Sequence, residues 1–224
     1  MTATFDEFAG DYSSALRSGL DLTGEAPDFY ARGRVQRVFQ RVSDLPVKSI
    51  LDFGCGTGGS LRVLADHFPG SRLVGVDPSE ESLVQARTKC GDHPVQLVAT
   101  LDEVSEPVDL IFCNGVFHHI EPEERHDILV KLRSVMTPGA RFAFWENNPW
   151  NPGTRLVMSR IPFDRDARTI SVPAARRLLC SAGFRVELID NCFWFPRSLA
   201  LLRPMESFLR KVPLAGQYMC LCSN

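Results

Sequence analysis

Residues 49–79 read SILDFGCGTGGSLRVLADHFPGSRLVGVDPS, and the fold is decided here. Ile50-Leu51-Asp52-Phe53 is the end of a buried strand, and Gly54-Cys55-Gly56-Thr57-Gly58-Gly59 is a tight turn. Ser60 to Phe68 carries Leu61, Leu64 and Ala65 at helical spacing, so the turn runs into an amphipathic helix. Arg72 to Val76 predicts a second strand, which runs into Asp77. Strand, glycine turn, helix, strand and acid together form a βαβ unit with its ligand site at the carboxyl ends of the strands. The glycines let the chain approach a ligand that a side chain would block, and the helix start offers free backbone N–H groups.

The spacing Gly54-x-Gly56-x-x-Gly59 also fits a dinucleotide such as NAD or FAD. Asp52, two residues before the first glycine, would repel a pyrophosphate but suits a ligand bearing an ammonium group. Asp77 suits the two ribose hydroxyls of any adenosine cofactor. An acid followed by GxGxG resembles the first motif of the class I S-adenosylmethionine-dependent methyltransferases. That resemblance implies S-adenosylmethionine in place of NAD, held by Asp52, Gly54, Cys55, Gly56, Gly58, Asp77, Pro78 and Asn114. It implies a doubly wound α/β fold, a seven-stranded mostly parallel sheet of the Rossmann-like methyltransferase type. It also implies an N-terminal lid, because an FDxxAxxY-like segment covers the cofactor in related enzymes. Phe5, Tyr12 and Tyr30 are then lid residues, with Arg34 beside them, and Tyr12 reaches the cofactor.

The 224 residues suffice for one domain with a small lid, here residues 1–45 preceding a cofactor-binding domain, 46–224. A net charge of −2 and the lack of a Lys/Arg block give no sign of a polyanion, so no nucleic-acid partner is expected. Asp6, Glu7, Asp11 and Arg17 break any leader, and no apolar run reaches membrane-spanning length. Seven cysteines, an odd number mostly in strand or helix patterns, read as reduced thiols of a cytoplasmic protein. Cys220-x-Cys222 has no second pair near it, so no metal site is expected.

Around the βαβ unit, Thr4 to Ser18 and Asp28 to Val42 predict two helices outside the alternating pattern. Ser79 caps a helix to Lys89, and Val95 to Ala99 is the third strand. Thr100-Leu101-Asp102 follows, where the family places its adenine contact; Leu101 would pack on the ring and Asp102 would bond its amino group. Val108 to Cys113 is a buried strand leading into Asn114-Gly115-Val116-Phe117-His118-His119-Ile120. Pro122 to Met136 predicts a helix, and Arg141 to Glu146 the fifth strand. Two Asn-Pro steps make 146–155 an extended, turn-rich loop at a strand's carboxyl end. That segment, with IPFDRDA at 161–167, resembles a bacterial subgroup reading close to EHNPxNPxTR and PFDxDA, with Asn147 in place of its histidine. Inserts are expected at about 147–170 and 194–215. The second carries Leu201, Leu202, Met205, Phe208 and Leu209, for which core packing is the leading reading. The alternatives are a substrate entry, a homodimer or other apolar contact, and a membrane face.

Methyl transfer needs alignment and, for a hydroxyl or ammonium acceptor, a place for the proton. His118 and His119 are the histidines at the reactive edge, and either can serve, with Glu146 beside them as a third catalytic candidate. Tyr30, Arg34, Phe117, Asn148, Trp150 and Asn151 are placed at the acceptor. The expected activity is O-methylation of a small molecule. The alternatives are N-methylation of a small molecule or protein, and a non-catalytic cofactor-binding partner protein.

Overall fold

The computed structural model is described for residues 12–224, with side chains from residue 15 onward. Helix α1 (Tyr12–Leu20) and helix α2 (Pro27–Val42) precede the sheet. Strand β1 (Ser49–Phe53), helix α3 (Gly59–His67) and strand β2 (Arg72–Val76) form the expected βαβ unit. Helix α4 (Glu80–Cys90), strand β3 (Val95–Val98), strand β4 (Val108–Asn114) and helix α5 (Arg125–Ser134) continue the alternation. Strand β5 (Met136–Asn147), helix α6 (Pro152–Arg160), helix α7 (Val172–Ser181), strand β6 (Arg185–Cys192) and strand β7 (Gln217–Ser223) complete it.

The seven strands lie in the order β3-β2-β1-β4-β5-β7-β6, parallel from β3 to β5, with β7 antiparallel to both neighbours. The order reverses at β1, between β2 and β4, and a doubly wound sheet opens its ligand crevice at that reversal. Successive residues of the central strands feed opposite layers. Leu51, Ile111 and Phe144 pack with Leu129 of α5 and Leu179 of α7, whereas Ile50, Leu110 and Trp145 pack with Val35 of α2 and Leu64 of α3.

Three expectations need correction. The helix expected over 122–136 is α5, which starts only at Arg125. Met136 already belongs to β5, where it pairs with Val108 ahead of a register shift. The supposed loop after Asn151 is helix α6: Asn151 Oδ1 accepts the Thr154 N–H at 2.8 Å and Pro152 fills the first turn, a helix start where a second loop was expected. The second expected lid helix, α2, buries Val35 and Val38 in the core. The insert at 194–215 does not bury its leucines: Leu201 is 96% and Phe208 86% exposed. Pro204 and the non-helical Leu199 keep that segment short and irregular. Its polar groups tie it down instead, with Arg203 on Glu25 at 2.7 Å and Glu206 on Arg37 at 3.3 Å. Phe5 and the side chain of Tyr12 lie outside the described residues.

Candidate active site

The glycine turn is shaped by what surrounds it. Gly54, Gly56 and Gly58 all have positive φ, a conformation that costs other residues strain. A Cβ on Gly54 would come within 2.3 Å of Val116, and one on Gly58 within 2.9 Å of the Ala86 backbone. At Gly56 nothing lies within 4 Å, so the backbone there faces open space. Asp77 closes over the turn, accepting the Gly56 N–H at 2.8 Å and the Ser79 N–H at 3.0 Å.

Asp52 is buried at the floor of this cradle, and its Oδ2 has no hydrogen-bond partner among the described residues. Burial, and then the charge of Asp77, push its carboxyl up to about 8. A buried carboxylate with one oxygen left without a hydrogen bond, beside an open backbone cradle, is what an ammonium-bearing cofactor would complete. S-adenosylmethionine fits these residues in its charge and in the space a Cβ would fill.

The fit has a consequence that calorimetry can read. At pH 6.5 the free protein holds a proton on Asp52, while the cofactor's α-amino group, a free amino acid's amine, is already charged. Pairing with the ammonium lowers the Asp52 pKa, so binding is expected to release close to one proton per site. Titrations in two buffers of different protonation enthalpy would measure it; Asp52→Asn should abolish the release. Equal heats in both buffers for the wild-type chain would contradict this role.

A second cluster sits at the carboxyl ends of β4 and β5. A short 3-10 turn, Phe117–His119, follows β4, and Glu146 closes β5. Glu146 Oε1 accepts the backbone N–H groups of Phe117 at 2.9 Å and His118 at 3.3 Å, and Oε2 accepts from His118 Nδ1 at 2.6 Å. Asp164, in the 3-10 turn after α6, brings Oδ1 to 3.5 Å from His118 Nε2 and 3.3 Å from His119 Nε2. His118 is only 3% exposed. Burial alone would push its imidazolium down, but the Glu146 carboxylate, with Asp164 behind it, overrides this and lifts it to about 10. Burial favours the neutral form of Asp164 too, yet hydrogen bonds from both histidines hold it below the usual carboxylate range. Arg125 stitches the corner together by donating to the carbonyls of Ile120 and Arg168, and Arg168 N–H donates to the His118 carbonyl.

One cavity of about 1150 Å³ runs between cradle and cluster. Asp52, Gly54, Cys55, Gly56 and Asn114 line one end, and His118, His119, Asp164 and Asn151 line the other. Tyr30 and Arg34 of α2, with Phe193, form a wall, and Arg34 reaches across to Gln217 at 2.9 Å. Gly58, Asp77 and Pro78 shape the cradle from behind and do not line the cavity.

Several expected contacts are displaced. Glu146 does not line the cavity; both oxygens are spent on holding the histidine turn, so it positions the turn and does not face an acceptor. Phe117 is fully buried in the core. Asn148 is buried too, donating to Pro213 and Ala215 carbonyls. Trp150, 46% exposed, faces a separate cavity of about 410 Å³ beside Val172 and Pro213. Asp102 is exposed beside Lys131, and Leu101 packs on the core, so neither reaches the cavity. Asp164, Gln217 and Phe193 were missed as site residues. For Asp164 a signal existed in the PFDxDA-like segment; for the others the chain carries none.

A family model described as a methyltransferase domain matches residues 51–142. The chain is 30% identical over 176 residues to a trans-aconitate 2-methyltransferase of Variovorax paradoxus, covering 72% of this chain and 67% of that one. It is 30% identical over 184 residues to a tRNA U34 carboxymethyltransferase of Shewanella loihica, covering 79% of this chain but 46% of that one. The chain thus spans about half the length of that relative. A SAM-dependent methyltransferase from Archaeoglobus fulgidus shares the fold, with a TM-score of 0.65 at 16% identity, over 89% of this chain and 95% of that one. The tRNA-directed relatives overturn the expectation of no nucleic-acid partner. A net charge near zero sums over the whole surface and does not describe the local field that a polyanion meets. Among the described residues no helix is long and apolar enough to cross a membrane.

Proposed function

We propose a reaction from one premise: the chain belongs to the class I S-adenosylmethionine-dependent methyltransferase family. The reaction is methylation of an oxygen atom on a small-molecule acceptor, carried out in the cytoplasm. The observation that carries this reading is the single cavity shared by the Asp52 cradle and the His119–Asp164 corner. Free cysteines, six of the seven buried, accord with a reducing compartment. The trans-aconitate relative, by its name, acts on a small acid, which accords with an oxygen acceptor.

When bound, S-adenosylmethionine supplies an electrophilic methyl group on a positively charged sulfur. Asp52 would hold the ammonium, and Asp77 would exchange its bonds to Gly56 and Ser79 for the ribose hydroxyls. Tyr30 and Phe193, whose ring centroids lie 5.1 Å apart, supply an aromatic wall to the cavity. His118 is clasped by two carboxylates, which favour its protonated form, so His119 is the histidine better placed to meet the acceptor. The acceptor's oxygen meets the protein at His119 and Asp164, the groups there that can orient it and receive its proton.

Asp77→Ala is expected to weaken cofactor binding by roughly 1.5–3 kcal/mol for each charge-assisted bond lost, not additively. Equilibrium dialysis would measure it, and unchanged affinity would remove Asp77 from the site. The reading itself is tested by incubating the full chain with S-adenosylmethionine and a panel of small hydroxy- and carboxylic acids, phenols, amines and unmodified tRNA. Methyl ester or ether products are expected. A tRNA acceptor is the second reading, favoured by the two tRNA-directed relatives. Methylated tRNA with no small-molecule product would replace the first by the second.

A further inference from the structure

His118, His119 and Asp164 each offer one donor atom, and the three atoms lie within 4.8 Å of one another. We propose that these three side chains form a binding site for a first-row divalent cation of the zinc type, placed at the acceptor end of the cavity. This rests on the reading that the acceptor occupies that end, and it names the group that would activate it.

Two of the three donor–donor edges have the length that a shared cation needs. Metal bonds to imidazole nitrogen and carboxylate oxygen are about 2.0–2.2 Å, which sets the edge of a ligand tetrahedron at about 3.4 Å. The two measured edges, His118 Nε2 to Asp164 Oδ1 and His119 Nε2 to Asp164 Oδ1, are 3.5 and 3.3 Å. Both imidazoles present Nε2 to the same carboxylate oxygen and all three donor atoms lie within 4.8 Å, so small rotations of the side chains would bring them onto one ion.

The surroundings match as well. His118 gives its other ring N–H to Glu146 at 2.6 Å, the carboxylate–imidazole pairing that fixes the tautomer leaving Nε2 for a metal. Glu146 is itself held by two backbone N–H groups and is 1% exposed, so the arrangement is rigid. The carboxylates that favour a proton on His118 favour an ion with two charges more strongly. Two imidazoles and one carboxylate, opening onto a cavity, leave a fourth position, as catalytic sites of this ligand type do.

That fourth position would take an oxygen of the acceptor. A metal–oxygen bond would form and the O–H proton leave to solvent at neutral pH; the pair left on oxygen would then attack the methyl carbon as the methyl–sulfur bond breaks, its electrons returning to sulfur and S-adenosylhomocysteine leaving. His119 and Asp164 then act as ligands, and the cation takes the part otherwise asked of a base. The sequence hides this site because its ligands are two adjacent histidines and an acid 45 positions on (119 to 164), whereas the close pair Cys220 and Cys222 lies buried in the core.

The test uses the full chain, stripped with chelator and titrated with Co²⁺ alone as a spectroscopic probe, then with Zn²⁺ in competition. One equivalent is expected to bind with the visible bands of a low-symmetry N/O site and no thiolate charge transfer. Zn²⁺ should displace it. Glu146→Gln should weaken binding about 10–100-fold. His119→Ala and Asp164→Asn should weaken it at least as much, and Cys222→Ala should leave it unchanged. His119 is partly exposed, so its alanine variant decides should Asp164→Asn fail to fold. No saturable binding at one equivalent, or binding indifferent to His119→Ala, would overturn the proposal. S-adenosylhomocysteine titrated on the same samples separates the two readings. Its binding without Co²⁺ binding sinks the cation alone; Co²⁺ binding without it sinks the methyl-transfer reading.

Discussion

Replacing Glu146 by alanine is expected to lower the folding free energy by about 3–5 kcal/mol. The carboxylate is buried and accepts three hydrogen bonds, two from the backbone of the Phe117–His118 turn and one from the His118 ring. Removing it leaves those donors without partners and the His118 imidazolium facing Asp164 alone. An orphaned buried charge costs far more than the pair contributes, because the remaining partner has been taken out of water with nothing to offset it. Glu146→Gln keeps the shape and one acceptor oxygen, so it should cost less. Urea unfolding at neutral pH measures both. A loss below about 1 kcal/mol for the alanine variant, the scale of an exposed ion pair, would mean that the corner is solvated and not built as described.

His119→Ala is expected to cut turnover on the order of 10²–10⁴-fold at saturating cofactor, with the affinity for S-adenosylhomocysteine little changed. The split follows from the layout: His119 and Asp164 stand at the acceptor end of the cavity, while Asp52 and the glycine turn stand at the other. Because His119 is less buried than His118, its loss should spare the fold. Single-turnover assays on wild-type and variant chains give the number. Turnover within a few-fold of wild type would leave catalysis to alignment alone.

The cofactor end was legible because its signals are local. An acid, a glycine turn and a second acid at the end of the next strand sit within 26 positions (52 to 77), and each glycine answers to a steric demand the structure displays. The acceptor end was only half legible. His118 and His119 stood out at the end of β4, but Asp164 comes from a turn beyond α6, and only the folded chain brings it within reach. Asn151-Pro152 carried two readings, loop and helix start, and the cap to Thr154 decided for the helix, which turned Trp150 away from the cavity. Glu146 was found for its position, yet its work is to hold His118, a distinction that depends on which oxygens are already occupied. The insert's leucines misled because apolar composition says nothing of facing; Pro204 breaks the helix that would have turned them inward.

The central claim is that S-adenosylmethionine binds across the strand ends at Asp52 and the glycine turn, and the most direct measurement is calorimetric titration of the full chain with S-adenosylhomocysteine and, separately, NADH. One equivalent of S-adenosylhomocysteine should bind, and NADH should give no heat beyond dilution. Saturable NADH binding with none for S-adenosylhomocysteine would contradict the account.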